Sequence, residues 1–234
     1  MKVLTADLTV PGWCSFRIPH SINAHFTYLA PPPTTIYGLI ANALGMRQDD
    51  YSLSKKLEIN VRILKQGEIV ETFSRWQKWN PAKNSMYTVL IKQKIIQPAY
   101  RIYLFSSAAN LQMIMQALLN PARLLYLGES DDIVEINEVR LQKADTVFTK
   151  QIVSAVPVEY CQENEVVNAD VSICQWPIRF QAGKRSQYHL TYQLVYLGKE
   201  IIFAEPIPCF QLSETNDAIV LRGMDHGEQS ETLS

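Results

Sequence analysis

Apolar and polar residues alternate over Lys2–Val10, which puts Leu4, Ala6, Leu8 and Val10 on one face by the two-residue period of a strand. The next regular pattern is helical. Ile36, Leu39, Ile40, Ala43 and Leu44 form one stripe over Thr35–Leu44, with prolines 31–33 ahead of it, Thr34 placed as its cap and Gly45 as its stop. Strands are predicted at Glu58–Leu64 and Glu68–Arg75, joined at a Gln66-Gly67 turn, and again at Tyr87–Ile95 and Tyr100–Phe105. The polar stretch RWQKWNPAKNSM interrupts the middle pair. Ser107 caps a second helix carrying Leu111, Ile114, Met115, Leu118 and Leu119, which Pro121 ends. A strand over Val134–Leu141 closes the unit.

In order these elements read β-α-β, an elaborated hairpin, then β-α-β. That order predicts an α+β, ferredoxin-like domain over 1–144, with an antiparallel sheet backed by two helices. Residues 145–212 read as a β-rich extension containing a hairpin, Gln187–Tyr196 with Glu200–Phe203, turned at Leu197-Gly198-Lys199. The polar stretch 213–234 is expected to fray. No internal repeat stands out.

Composition narrows the class. Hydrophobic residues make up 47% and charged ones 19%, as in a soluble globular chain. No apolar run approaches the roughly 18 residues of a spanning helix, and the N-terminus reads as a strand, not a signal peptide. The four cysteines (Cys14, Cys161, Cys174, Cys209) have no metal-ligand spacing and read as reduced thiols of a cytoplasmic protein. Neither a metal nor a cofactor is expected; the acids of Gly128-Glu129-Ser130-Asp131-Asp132 do not complete a calcium loop. Phosphate-binding, nucleophile-elbow and dinucleotide motifs are absent.

The net charge of −1 conceals an asymmetry. Ten Lys or Arg against three acids lie between Lys55 and Arg101, and the balance reverses from Glu129 to Asp170. Within the basic segment, Arg75-Trp76-Gln77-Lys78-Trp79 interleaves cations with indoles, and Lys83, Lys92 and Lys94 follow. Cations neutralise phosphates and flat rings stack on unpaired bases, so the pattern suits single-stranded RNA. The alternative is a core-packed tryptophan beneath solvated lysines. The long connection after the first strand holds Ser15, Phe16, Arg17, His20, Asn23 and His25. Its histidines could act as acid and base in metal-free RNA cleavage, or simply bond the loop or touch RNA.

The run Ser15-Phe16-Arg17-Ile18-Pro19-His20-Ser21-Ile22-Asn23, the helix entry Ala30-Pro31-Pro32-Pro33-Thr34-Thr35-Ile36-Tyr37-Gly38, and Leu125-Tyr126-Leu127-Gly128-Glu129-Ser130-Asp131-Asp132 resemble the CRISPR-associated "Cas five" family. The resemblance covers about the first 140 residues and is closest to subtype I-B. It implies the RAMP superfamily: an RRM-like domain with an inserted β-hairpin thumb, here about 73–94. It implies a non-catalytic subunit of a type I Cascade complex that holds the 5′ handle of the crRNA. The implied protein partners are the repeated backbone subunit and the large subunit; target DNA lies nearby but is read through the guide. Carried over by position, the RNA contacts would be Arg75, Trp76, Lys78, Trp79, Lys83, Lys92 and Lys94 on the thumb. Ser15, Phe16, Arg17, His20 and Asn23 would add to them after the first strand, and Gly128 would admit RNA backbone. A branch of the family cleaves repeat RNA with a Tyr, a Lys and a His. Tyr28, His20 and His25 do not reproduce that set, and no catalytic residue is assigned. Two rivals remain: a metal-independent repeat-RNA endoribonuclease and a protein–protein adaptor.

Overall fold

The computed structural model describes residues 1–19, 24–48, 50–80, 83–161, 164–182 and 188–221, with the backbone alone at 78–80, 83–86, 181, 182 and 188. β1 (Lys2–Thr9) is followed by two short pieces, β2 (Trp13–Cys14) and β3 (Ala24–His25), and then α1 (Pro33–Ala43). Next come β4 (Glu58–Lys65), β5 (Glu68–Asn80), β6 (Lys83–Ile96), β7 (Ala99–Phe105) and α2 (Ala108–Leu119). The chain continues through β8 (Glu135–Ile152), β9 (Val156–Pro157), β10 (Ser172–Ala182), β11 (Tyr188–Leu197), β12 (Ile201–Leu212) and β13 (Ala218–Ile219). Among the described residues the fold is mixed, with strands predominating over two α-helices. None of the described helices is long and apolar enough to cross a membrane.

The main sheet has the order β13-β12-β8-β1-β7-β4, and each neighbouring pair is antiparallel. Alternation along its strands separates two faces. Leu4, Ala6 and Leu8 of β1, Ile102 and Leu104 of β7, and Ile59, Val61 and Ile63 of β4 pack in one cluster with Ile36 and Ile40 of α1 and Leu111, Ile114 and Leu118 of α2. The opposite face is closed by the C-terminal part of the chain. Arg101 forms a fork with Asp7 (2.6 and 2.7 Å) and also reaches Asp217 (3.0 Å). Tyr103 donates to the same Asp217 at 2.7 Å, Arg62 pairs with it, and Asn60 donates to the backbone of Ala155 and Val220. Buried charge demands such partners.

Several expectations change against this architecture. α1 starts at Pro33, with Pro32 in extended conformation as its cap, where Thr34 was expected to cap. Proline at the first helical position gives up an amide that would be unpaired anyway, so the last of the three prolines initiates the helix. Ser107 does cap α2, accepting from the Asn110 amide at 3.4 Å. Among the described residues, the expected interruption between Arg75 and Tyr87 is absent. β5 and β6 pair through it, Arg75 facing Val89, Trp76 facing Thr88 and Gln77 facing Tyr87, because a continuous ladder satisfies the backbone whatever the side-chain polarity. Residues 81–82 lie outside the described residues. The hairpin expected over 187–203 does not form either. β11 pairs with β10 and β9, whereas β12 pairs with β8 and β13. Their apolar residues enter different clusters: Val195 and Leu197 join the main core, while Ile201, Phe203, Ile207 and Cys209 pack with Ile152 and Val156.

β8 runs unbroken across 144, so the extension joins the main sheet. Residues 213–221, expected to fray, instead place Asp217, Ile219 and Val220 in the interior. The remainder of the tail, 222–234, lies outside the described residues.

Candidate functional site

The β5–β6 hairpin has two unlike faces. Cross-strand register puts Ile69, Phe73, Arg75, Tyr87, Val89 and Ile91 on one of them. That face is open: Phe73 is 75% exposed, Val89 63% and Tyr87 55%. The Arg75 guanidinium lies 4.0 Å above the Tyr87 ring, a cation–π pair at the surface. The other face carries Trp76, Lys92 and Lys94 and turns toward the body. Along its edge away from β5, β6 pairs in parallel with β3 and antiparallel with β2. Trp76 stays 44% exposed while its ring meets the buried His25 edge-on, centroids 5.3 Å apart.

At the hairpin's root the cations are consumed. Lys94 reaches Asp132 at 2.7 Å and Glu129 at 3.0 Å, and Lys92 pairs with Glu129. Both lysines are buried, and Asp132 is wholly so. The Asp132 carboxylate also accepts the amides of Ser15 and Glu129, each at 3.0 Å. One side chain thus ties β6, the loop after β1 and the 126–132 loop together. Burial opposes the charge on Lys94, but its bonds to Asp132 and Glu129 prevail and lift its pKa above the ordinary value. Burial likewise opposes the Glu129 charge, and hydrogen bonds from Lys92 and Lys94 hold its pKa below the ordinary value. Burial raises that of Asp132, against the pull of Lys94 and the two amides. His25 sits below its ordinary 6.5 because of burial and the nearby positive Arg17 and Lys92, so its neutral form is favoured. The carboxylates of Glu129, Asp131 and Asp132 lie within 4.8 Å of one another, but ammonium groups engage two of them.

The residues expected to touch RNA therefore separate into groups. Arg75 and Trp76 are exposed on the hairpin and Arg17 is exposed at its base. Lys92 and Lys94 are buried bracing groups. Ser15 and Phe16 are also buried; the Phe16 ring packs edge-on to Tyr100, centroids 5.8 Å apart, and its amide donates to Thr27. Gly128 has φ +106°, and a Cβ there would stand 2.5 Å from the Ser15 carbonyl oxygen. Its bareness admits the chain's own backbone, where RNA backbone was expected. Lys78, Trp79 and Lys83 fall on the paired strands, but their side chains lie outside the described residues, as do His20 and Asn23 entirely.

Sequence reasoning missed Trp13, 51% exposed with Lys94 6.0 Å from its ring centroid, and the Phe73–Tyr87–Val89 patch. A register shift between Lys78 and Asn80 is what brings that patch onto one face, and no local pattern announces it. The four cysteines are free, and burial pushes Cys14 up to about 12, leaving it an inert core thiol.

Residues 10–191 match the family described as CRISPR-associated protein (Cas_Cas5). No curated protein matches the sequence. Among solved structures the chain is similar to a "CRISPR RNA-guided surveillance complex" component, with a TM-score of 0.55 at 14% identity over 86% of this chain and 91% of that one. It is also similar to a CRISPR protein from Archaeoglobus fulgidus, with a TM-score of 0.56 at 13% identity over 94% of this chain and 99% of that one. At these identities the likeness is one of fold.

Proposed function

Since the chain belongs to the CRISPR-associated protein (Cas_Cas5) family, we propose that it is a non-catalytic, crRNA-binding subunit of a type I Cascade surveillance complex, holding the 5′ handle of the guide. In this reading the hairpin is the thumb. Arg75 answers phosphate charge, and Trp76 and Tyr87 offer flat faces to unpaired bases. The carrying observation is an open cation–aromatic surface on a hairpin whose root is braced by buried ion pairs. A clamp that presses on RNA needs both an exposed working face and a fixed base.

The reading extends to the fold. Strand order β8-β1-β7-β4, with α1 after β1 and α2 after β7, supports a ferredoxin-like, RRM-like domain. RRM domains stack bases on the open face of that sheet. Here Asp217, Asn60, Arg101 and Tyr103 lock the C-terminal segment over it, which favours the hairpin side as the RNA path. The repeated backbone subunit and the large subunit are the proposed protein partners. The open apolar residues Phe73, Val89 and Ile91 suit contact with one of them.

The test is incubation of the full chain with end-labelled repeat RNA in EDTA, read on native and denaturing gels. A shifted, intact RNA is expected. A discrete cut lost in His20→Ala or His25→Ala would replace the scaffold with a nuclease. Neither shift nor cut would favour an adaptor that binds only protein.

A further inference from the structure

A cleft of about 500 Å³ opens between α1, residues 46–48 and 50–54, and strand β10. Tyr51 and Phe180 form one aromatic wall, ring centroids 4.4 Å apart and tilted by 37°. Arg47 and Arg123 supply positive charge at the same cleft. Arg123 is held there by donating to the carbonyls of Met46 (2.9 Å) and Gly45 (3.2 Å) just beyond the end of α1. Asp50, which also lines the cleft, accepts from the Ser52 amide at 3.0 Å.

Gly38 gives the second observation. It lies in the interior of α1 at an exposed position, where glycine is destabilising relative to alanine. A Cβ built there meets nothing within 4 Å, so no neighbour among the described residues requires a glycine. What the missing side chain provides is bare helix backbone facing the cleft.

We propose that this cleft holds one nucleotide of single-stranded RNA, a site that rests on the RNA-binding reading above and lies apart from the hairpin. The base lies against the Tyr51–Phe180 wall, the phosphate faces Arg47 and Arg123, and the sugar approaches the backbone at Gly38. The volume is that of a small-ligand site. A bare anion would leave the aromatic wall unused, and an apolar side chain would leave both guanidinium groups unused. A nucleotide uses both.

The probe is a short single-stranded RNA carrying 2-aminopurine at one position at a time, whose fluorescence falls when the base stacks. With the full chain, quenching is expected at one position that also survives Trp76→Ala. Gly38→Gln places a better helix former at an open position, so it should raise Tm while filling the cleft. It is expected to abolish that quench and weaken RNA binding about tenfold, the scale of one lost base stack. Phe180→Ala should lose the same quench. A Gly38→Gln chain with unchanged affinity and unchanged quench would overturn the cleft assignment alone. A wild-type chain that binds no RNA would overturn both this site and the reading on which it rests.

Discussion

The two faces of one hairpin put the same residue chemistry to opposite uses. On the outer face Arg75 is exposed above Tyr87, beside Phe73 and Val89. On the inner face Lys92 and Lys94 are buried and neutralised by Glu129 and Asp132, carboxylates supplied from more than thirty residues away. A basic stretch of sequence is therefore not a basic surface. The inner lysines hold the hairpin to the body, and the outer arginine stays open to solvent.

The largest effect expected from breaking this division lies at the root. Asp132→Ala leaves Lys94 buried without its closest partner and frees two amides, and should cost about 3–5 kcal/mol, the usual scale for halving a buried pair. Chemical denaturation measures it; a loss under about 1 kcal/mol would mean that the brace bears little. Gly128→Ala comes next. It forces a side chain onto a φ of +106° and against the Ser15 carbonyl, for an expected loss of about 1–3 kcal/mol in the same assay.

The exposed Trp76 should show the converse pattern. Trp76→Ala should leave Tm nearly unchanged while weakening RNA binding by about 1–3 kcal/mol, the range for one base–aromatic stack. Unchanged affinity would assign Trp76 to its His25 contact alone. The smallest effect is a pH slope. The folded pKa of His25 lies below 6.5, so folding excludes a proton that the unfolded chain binds. That stability is present above 6.5 and is lost as pH falls from 6.5 through the folded pKa. His25→Gln should flatten the change in Tm across that window; a slope that persists would place its origin elsewhere.

Elements with a clear period were legible in the sequence: β1, both helices and β7 have alternating or helical apolar patterns that burial enforces. The hairpin's true length was not, because a protruding ladder buries little and its residues 75–80 obey backbone pairing without any apolar rhythm. The partner of β12 was equally hidden. A glycine between two apolar strands signals a hairpin locally, whereas β12 pairs with β8 through contacts distant in sequence. In the candidate site, the interleaving of cations and indoles over 75–79 singled out Arg75 and Trp76, which the fold leaves exposed. The fate of Lys92 and Lys94 turned on a loop that folds against them, which no local pattern reveals. Gly128 was singled out as a point where RNA comes close; the backbone that comes close in the fold is that of Ser15.

The measurement closest to the central claim is the salt dependence of RNA binding by folded wild-type, Arg75→Gln and Lys92→Gln chains. A phosphate-contacting cation contributes about one unit to the slope of log affinity against log salt, and a buried, paired one contributes none. The account predicts a slope reduced by about one for Arg75→Gln and a wild-type slope for Lys92→Gln. A reduced slope for Lys92→Gln with an unchanged slope for Arg75→Gln would contradict it.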